Sequence, residues 1–305
     1  MPDHHPIFSH FKPFWMELPG GYAVDLLGTK IRGEFGAGLT IYPAGRNVTP
    51  NATCDEEYFE WIDLLESVVA ARGSYTMIEL GAGFGRWALR AAFAVKQHHH
   101  LMPCRVIAVE AEPVVYQWMH LHFNDNGIDP TRHCLIHGAI CESPGDVQFN
   151  IGGPRGGPFD RSPNNWYGQF LVQPHDLASE SVEDGEYSGF PVRRHKSGWR
   201  SIRVPGVTLA CILKDLEHVD LIDMDIEGQE LPAVRSNIDE LNAKVKRLHI
   251  GTHGKQIEDG LKQILSSEGW KCLFDYAECS ISDTPWGVIR FENGVQSWVN
   301  PRLFS

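Results

Sequence analysis

Apolar residues Tyr58, Trp61, Ile62, Leu65, Val68 and Val69 recur at helical spacing until Gly73, and Thr53 with Glu56 has the capping-box spacing. This predicts one amphipathic helix. Residues 75–80 then form an apolar run with little alternation, the pattern of a strand covered on both faces. The glycine-rich ELGAGFGR follows, and after it an Ala-rich helix over about residues 87–97. The unit repeats: residues 105–109 read as a strand ending at Glu110, and Pro113 opens a helix that Asn126 and Gly127 stop. Leu135 and Ile136 begin a third strand. Farther on come a strand at 219–224, a helix from Leu231 to about Leu241, a strand at 245–250 and a helix at 256–268 closed by Gly269. Two final strands, near 270–276 and 288–291, are close enough in the chain to pair antiparallel. Strands alternating with helices of this size predict an α/β, doubly wound, Rossmann-like sheet of seven strands whose last pair is antiparallel.

Two stretches fall outside this rhythm. Residues 1–52 hold only short strand-like runs at 22–27 and 39–42 and read as an N-terminal extension to a domain spanning 53–305. Residues 151–203 contain GGPRGGP, RSPNNWYG, an acidic patch and RRHKSGWR; no core element is evident, so the segment reads as a long functional loop with room for a short hairpin.

The chain has 305 residues, with 27 basic against 39 acidic and a net charge of −12. That excess of acid argues against a nucleic-acid partner, which demands clustered Lys and Arg. No apolar run nears the ~20 residues that span a bilayer, and the N-terminus lacks a signal peptide's basic end and apolar stretch. The expectation is a cytoplasmic protein with no membrane partner. Seven scattered cysteines without a CxxC pair argue against a disulfide framework and a structural zinc.

The chemistry concentrates at strand ends, where open α/β sheets bind ligands. Glu79, Gly81, Ala82, Gly83 and Gly85 close the first strand as E-x-G-x-G-x-G. A dinucleotide fingerprint needs a third glycine at position 86, where this chain has Arg86. Glu110, followed by Ala111, ends the second strand, where a carboxylate accepts hydrogen bonds from ribose hydroxyls. Ala139 lies at the end of the third, beside the expected adenine. The segment Asp220, Leu221, Ile222, Asp223, Met224, Asp225, Ile226, Glu227, Gly228, Gln229, Glu230 closes the fourth.

Together with ELGAGFGR, Glu110-Ala111 and Thr208-Leu209, that segment resembles the FkbM-type S-adenosylmethionine-dependent methyltransferases, whose signature is close to K-I-D-V-E-G-x-E. The resemblance covers about residues 77–276. It implies a methyltransferase sheet, S-adenosylmethionine as cofactor and O-methylation of a sugar, glycan or small natural product. By the match Asp225, Glu227, Gly228 and Glu230 occupy the signature positions, with Asp225 near the cofactor as well as the acceptor. Two positions depart from the pattern: Asp223 replaces the usual Lys, and Gly251-Thr252-His253 keeps the histidine of a Glu-x-His but not its acid.

Asp225 and His253 are the candidate catalytic pair, accepting the proton of the acceptor hydroxyl. The alternative is a metal site in which Asp225, Glu227 and His253 hold magnesium, as in some similar antibiotic-sugar methyltransferases. The metal-free version is favoured, because the multi-acid, carbonyl-rich set of a dedicated magnesium site is incomplete. The His98-His99-His100 run, at a helix end, is expected to be solvated. Trp166, Tyr167, Trp199, Arg193, Arg194 and Lys196 either stack on and grip an acceptor or fix the long loop to the body. The rival readings are a nicotinamide-dependent oxidoreductase, which lacks its third glycine and a Tyr-x-x-x-Lys pair here, and a non-catalytic nucleoside-binding domain.

Overall fold

A computed structural model describes residues 4–36, 39–153, 168–177 and 180–303. Its central sheet has seven strands: β1 (Tyr75–Leu80), β2 (Cys104–Glu110), β3 (Cys134–His137), β4 (Leu221–Met224), β5 (Arg247–Thr252), β6 (Lys271–Tyr276) and β7 (Gly294–Val299). The spatial order is β6-β7-β5-β4-β1-β2-β3. β7 runs antiparallel to both β5 and β6, and the other neighbours are parallel. The order reverses between β1 and β4, which opens a crevice at their carboxyl ends.

Helices α1 (Tyr58–Ala70), α2 (Arg86–His98) and α3 (Pro113–Asp125) contribute to one core, and α4 (Leu209–Leu213), α5 (Glu230–Ser236), α6 (Ile238–Lys244) and α7 (Lys255–Ser267) to the other. Strand periodicity divides the sheet between them, with Met77 in the first core and Ile78 in the second. Both residues are fully buried, which is why β1 reads as a continuous apolar run. None of the described helices is long and apolar enough to cross a membrane.

Several expectations are corrected. Thr53 and Glu56 do not cap α1, which starts at Tyr58; Glu56 instead accepts the Glu292 amide at 2.7 Å. The helix expected over about 231–241 is two helices parted at Asn237, whose side chain donates to the Ala233 carbonyl. The seventh strand is β7, not 288–291. Gly287–Phe291 pairs with Ser280–Thr284 in a separate two-stranded ribbon. Polar Gln296 and Ser297 interrupt the apolar pattern of β7, yet both are buried and bonded, Gln296 to the Glu258 carbonyl and Ser297 to Asp63.

The largest correction concerns 151–203, which is not a featureless loop. Ser181–Tyr187, Phe190–His195 and Arg200–Val207 join Ala139–Ile140 and Gly145–Gly152 in a second sheet of five strands. Arg200–Val207 pairs antiparallel with Gly145–Gly152 and parallel with Ala139–Ile140. Phe149, Ile151, Val192, Ile202 and Val204, with Ala139 of the sheet's own short strand, give it a core that also includes Ala111 from the central sheet's rim. Trp166 and Tyr167 lie outside the described residues.

The N-terminal segment packs into the body. Ile7, Phe11, Leu26 and Leu27 join the core of α1 and α2. Buried Asp25 pairs with Arg90 at 2.9 Å, whose guanidinium lies over the rings of Trp61 and Trp87. Strand structure over 39–42 is limited to one bridge, from Tyr42 to Tyr22.

Candidate active site

The turn after β1 depends on left-handed backbone at Gly81 (φ +78°), Gly83 (φ +55°) and Gly85 (φ +74°), which glycine adopts without strain. A Cβ on Gly81 would strike the Asp225 carbonyl, so the ends of β1 and β4 close on each other only because position 81 is bare. Gly85 faces Met119 and Phe123 and lets α2 start close against α3. Position 85, expected from sequence at the cofactor, is bare because these two side chains fill the space beside it. The two oxygens of Glu79 accept the amides of Trp87 (3.0 Å) and Ala88 (2.8 Å), capping α2 while contributing to the cleft wall. Burial pushes its carboxyl up to about 7 against those bonds. Arg86 is ion-paired with Glu57 at 2.5 Å.

Glu110 stands beside this turn. Oε2 accepts the Gly83 amide at 2.8 Å and Oε1 the Glu112 amide at 2.6 Å, and the Ala111 amide also bonds this carboxyl, which leaves it acceptor capacity for a further donor. Burial raises this carboxyl to about 8, opposed by the amide bonds. The adjoining cavity is apolar along Val109, Ala111, Ala139 and Ile140, and is closed by Phe149, Phe170 and Leu171. Phe170 and Leu171 are held there because residues 170–172 bond along the edge of Gly145–Gly152, through Asn150 N to Phe170 O and Val172 N to Gln148 O, both 2.9 Å. Ala111 and Ala139, both named from sequence, line this cavity; the three larger side chains were missed, since their placement depends on the second sheet. A diol acceptor beside an apolar slot fits a nucleoside.

A second, acidic cleft adjoins the first and shares Gly81, Asp225 and Glu227 with it. Ala82, Gly83 and Phe84 line the cleft, facing Glu57, Glu60, Glu278 and Glu292. His253 sits among carboxylates: Nδ1 donates to Glu230 Oε1 at 2.9 Å, and Nε2 lies 3.4 Å from both Asp225 Oδ1 and Glu227 Oε2. Burial opposes its charge, but the Glu230 bond and the fields of Asp225, Glu230 and Glu227 outweigh that and hold its pKa up at about 9. Glu227 takes a left-handed backbone (φ +50°), and burial raises its carboxyl to about 7. Asp225 is half exposed to the cleft. The structure thus brings together Asp225, Glu227 and His253, and adds Glu230, which is wholly buried.

Deeper in the same cleft Glu60, Asp223 and His249 form another cluster. Asp63 on α1 organises it: the carboxylate takes the Nδ1–H of His249 at 2.8 Å, Arg247 at 2.5 Å and the Ser297 hydroxyl. Burial works against its charge, and these partners hold it below the usual carboxylate range. Asp63 and Glu60 were missed in the sequence, although an acid inside the apolar run of α1 is a readable signal.

The basic residues of the second sheet have local partners. Arg193 Nε donates to Ser181 Oγ (2.9 Å), Arg194 lies 3.6 Å from Asp184 and Lys196 3.0 Å from Glu180, so the acidic and basic patches face each other across neighbouring strands. Trp199 packs edge-on to Phe170, supporting the apolar cavity. His99 Nε2 contacts the Val68 carbonyl, and His98 packs against Phe11.

Residues 79–265 match the family model for the methyltransferase FkbM domain. A protein of Jannaschia sp. (strain CCS1), named provisionally as a methyltransferase, is 28% identical over 220 residues, covering 71% of this chain and 69% of its own. Among solved structures, the methyltransferase FkbM from Methylobacillus flagellatus KT shares 15% identity at a TM-score of 0.41 over 74% of this chain, which spans 44% of that protein's length. A precorrin-6y C5,15-methyltransferase from Geobacter metallireducens GS-15 shares 11% identity at a TM-score of 0.40, covering 81% of this chain and 92% of its own.

Proposed function

This chain belongs to the FkbM methyltransferase domain family, and from that premise we propose that it transfers a methyl group from S-adenosylmethionine to a hydroxyl of a sugar, glycan or small natural product. The observation that carries the reading is the meeting of the apolar cavity and the acidic cleft at Gly81, Asp225 and Glu227. One side suits a nucleoside, the other a polyhydroxylated acceptor whose hydroxyls donate to carboxylates, and the shared wall is where a group can pass between them.

Glu110 would accept a ribose hydroxyl with its remaining acceptor capacity, and Ala111, Ala139 and Phe149 would enclose the base. Bound S-adenosylmethionine supplies a methyl activated by its sulfonium. His253, charged at neutral pH, holds Asp225 and Glu227 in place rather than taking a proton. Asp225, half exposed at the junction, accepts the hydroxyl proton as the acceptor oxygen gains the methyl. Alignment of the two bound molecules by the shared wall supplies much of the rate. The acidic lining disfavours nucleic acid as acceptor.

The test is incubation with methyl-labelled S-adenosylmethionine and pooled hydroxylated metabolites and glycans. An alkali-stable, oxygen-linked label is the expected product; label found on nitrogen or carbon alone rejects the O-methyl reading.

A further inference from the structure

We propose that Glu60, Asp223 and His249 form a divalent-cation site in the acidic cleft, distinct from the Asp225, Glu227 and His253 set. Each residue offers one ligand atom, and the three atoms lie within 4.8 Å of one another. They come from α1, β4 and β5, so the set is built on three packed elements rather than on loops.

Two independent observations point to a ligand. Asp223 is 4% exposed, and among the described residues its Oδ1 receives no N–H or basic group; the neighbour of this carboxyl is the Glu60 carboxyl, itself an acid. A buried carboxylate oxygen left bare is costly and is an acceptor waiting for a positive group. Nearby cations are engaged elsewhere, Arg247 with Asp63 and Glu66 and Arg86 with Glu57. The second observation is the setting of His249. Its Nδ1–H is taken by Asp63, which Arg247 and Ser297 hold in turn, leaving Nε2 as the nitrogen available to a cation. A carboxylate fixing the far nitrogen of an imidazole is the outer-shell arrangement of metal-ligating histidines.

Two carboxylates and one imidazole suit Mn²⁺, Fe²⁺ or Zn²⁺ better than the all-oxygen preference of Ca²⁺ or Mg²⁺. Because the three residues line the cleft, a cation held there also reaches water or an acceptor hydroxyl. The site stands apart from the methyl-transfer reading: cation binding is measured without cofactor or acceptor.

The experiment titrates Mn²⁺ into chelator-stripped full-length protein, followed by electron paramagnetic resonance, in an Asp225→Asn/Glu227→Gln background that removes the neighbouring set. One bound Mn²⁺ is expected, with affinity at least tenfold weaker after adding Asp223→Asn or Glu60→Gln. Asp223→Asn keeps the size of the buried side chain while removing a carboxylate ligand, and is expected to melt no lower than its parent without metal. Mn²⁺ should raise the melting temperature of the parent and leave that of the Asp223→Asn protein unchanged. Absence of a bound ion in the background protein, or equal affinity with and without Asp223→Asn, overturns the proposal. Binding of S-adenosylhomocysteine, measured in parallel, reports separately on the methyltransferase reading.

Discussion

Glu230 Oε1 accepts the Nδ1–H of His253 at 2.9 Å, and the same carboxylate accepts the amides of Ile226 (3.2 Å) and Gly228 (3.1 Å). One buried side chain therefore shapes the turn carrying Glu227 and fixes the imidazole that faces it. Glu230→Ala leaves those donors without a partner and should destabilise the protein by about 3 to 5 kcal/mol in urea unfolding, as expected for breaking a buried pair. Glu230→Gln should lose less.

The pH dependence follows from the raised pKa of His253. Its folded value of about 9 lies above the ordinary 6.5, so its contribution is complete below about pH 6.5 and is lost as pH rises through 9. The stability difference between wild type and His253→Gln should shrink over that window. A difference constant from pH 6 to 10 would show that the carboxylates do not hold the proton on His253.

Asp225→Asn should lower turnover by about 10² to 10⁴ while S-adenosylhomocysteine affinity stays within a few-fold, because the amide cannot accept the hydroxyl proton. Steady-state rates and calorimetry on the same preparation check this. Near-normal turnover would leave alignment alone as the source of the rate.

The second sheet makes a separate prediction. Phe170→Ala should weaken S-adenosylhomocysteine binding with little change in melting temperature, since Phe170 lines the cavity and is only partly buried. Ile202→Ala, at a fully buried position, should destabilise by about 2 to 5 kcal/mol. Calorimetry and thermal unfolding separate the two effects. Shortening 151–203 is expected to damage the cavity beside Glu110, because Phe170 and Leu171 belong to its wall.

The contrast between these regions shows what the sequence made legible. β1, β2, β4 and β5 are buried on both faces, so their apolar runs announce them, and the glycine turn, Glu110 and the Asp225 to Glu230 segment lie at their ends by chain order alone. The second sheet is half exposed and built around Gly, Pro and charged residues; it joins strands at 139–152 to strands at 181–207, and its core closes on Ala111 at the rim of the central sheet. β7 was hidden because Gln296 and Ser297 are polar residues satisfied inside the fold. The same holds for Asp63 and Glu60, whose partners on β4, β5 and β7 no local pattern reveals. The oxidoreductase reading fell with the family match, in keeping with Arg86 at the third-glycine position, where it pairs with Glu57.

Titration calorimetry of S-adenosylhomocysteine and of NAD into wild type and Glu110→Ala at pH 8 tests the central claim, that the cavity beside Glu110 holds the methyl donor's nucleoside. The account predicts that wild type binds S-adenosylhomocysteine and not NAD. Glu110→Ala should lose about 1.5 to 3 kcal/mol of that affinity, because its ribose partner is gone. Binding of NAD in preference, or an unchanged affinity in a folded Glu110→Ala protein, would contradict it.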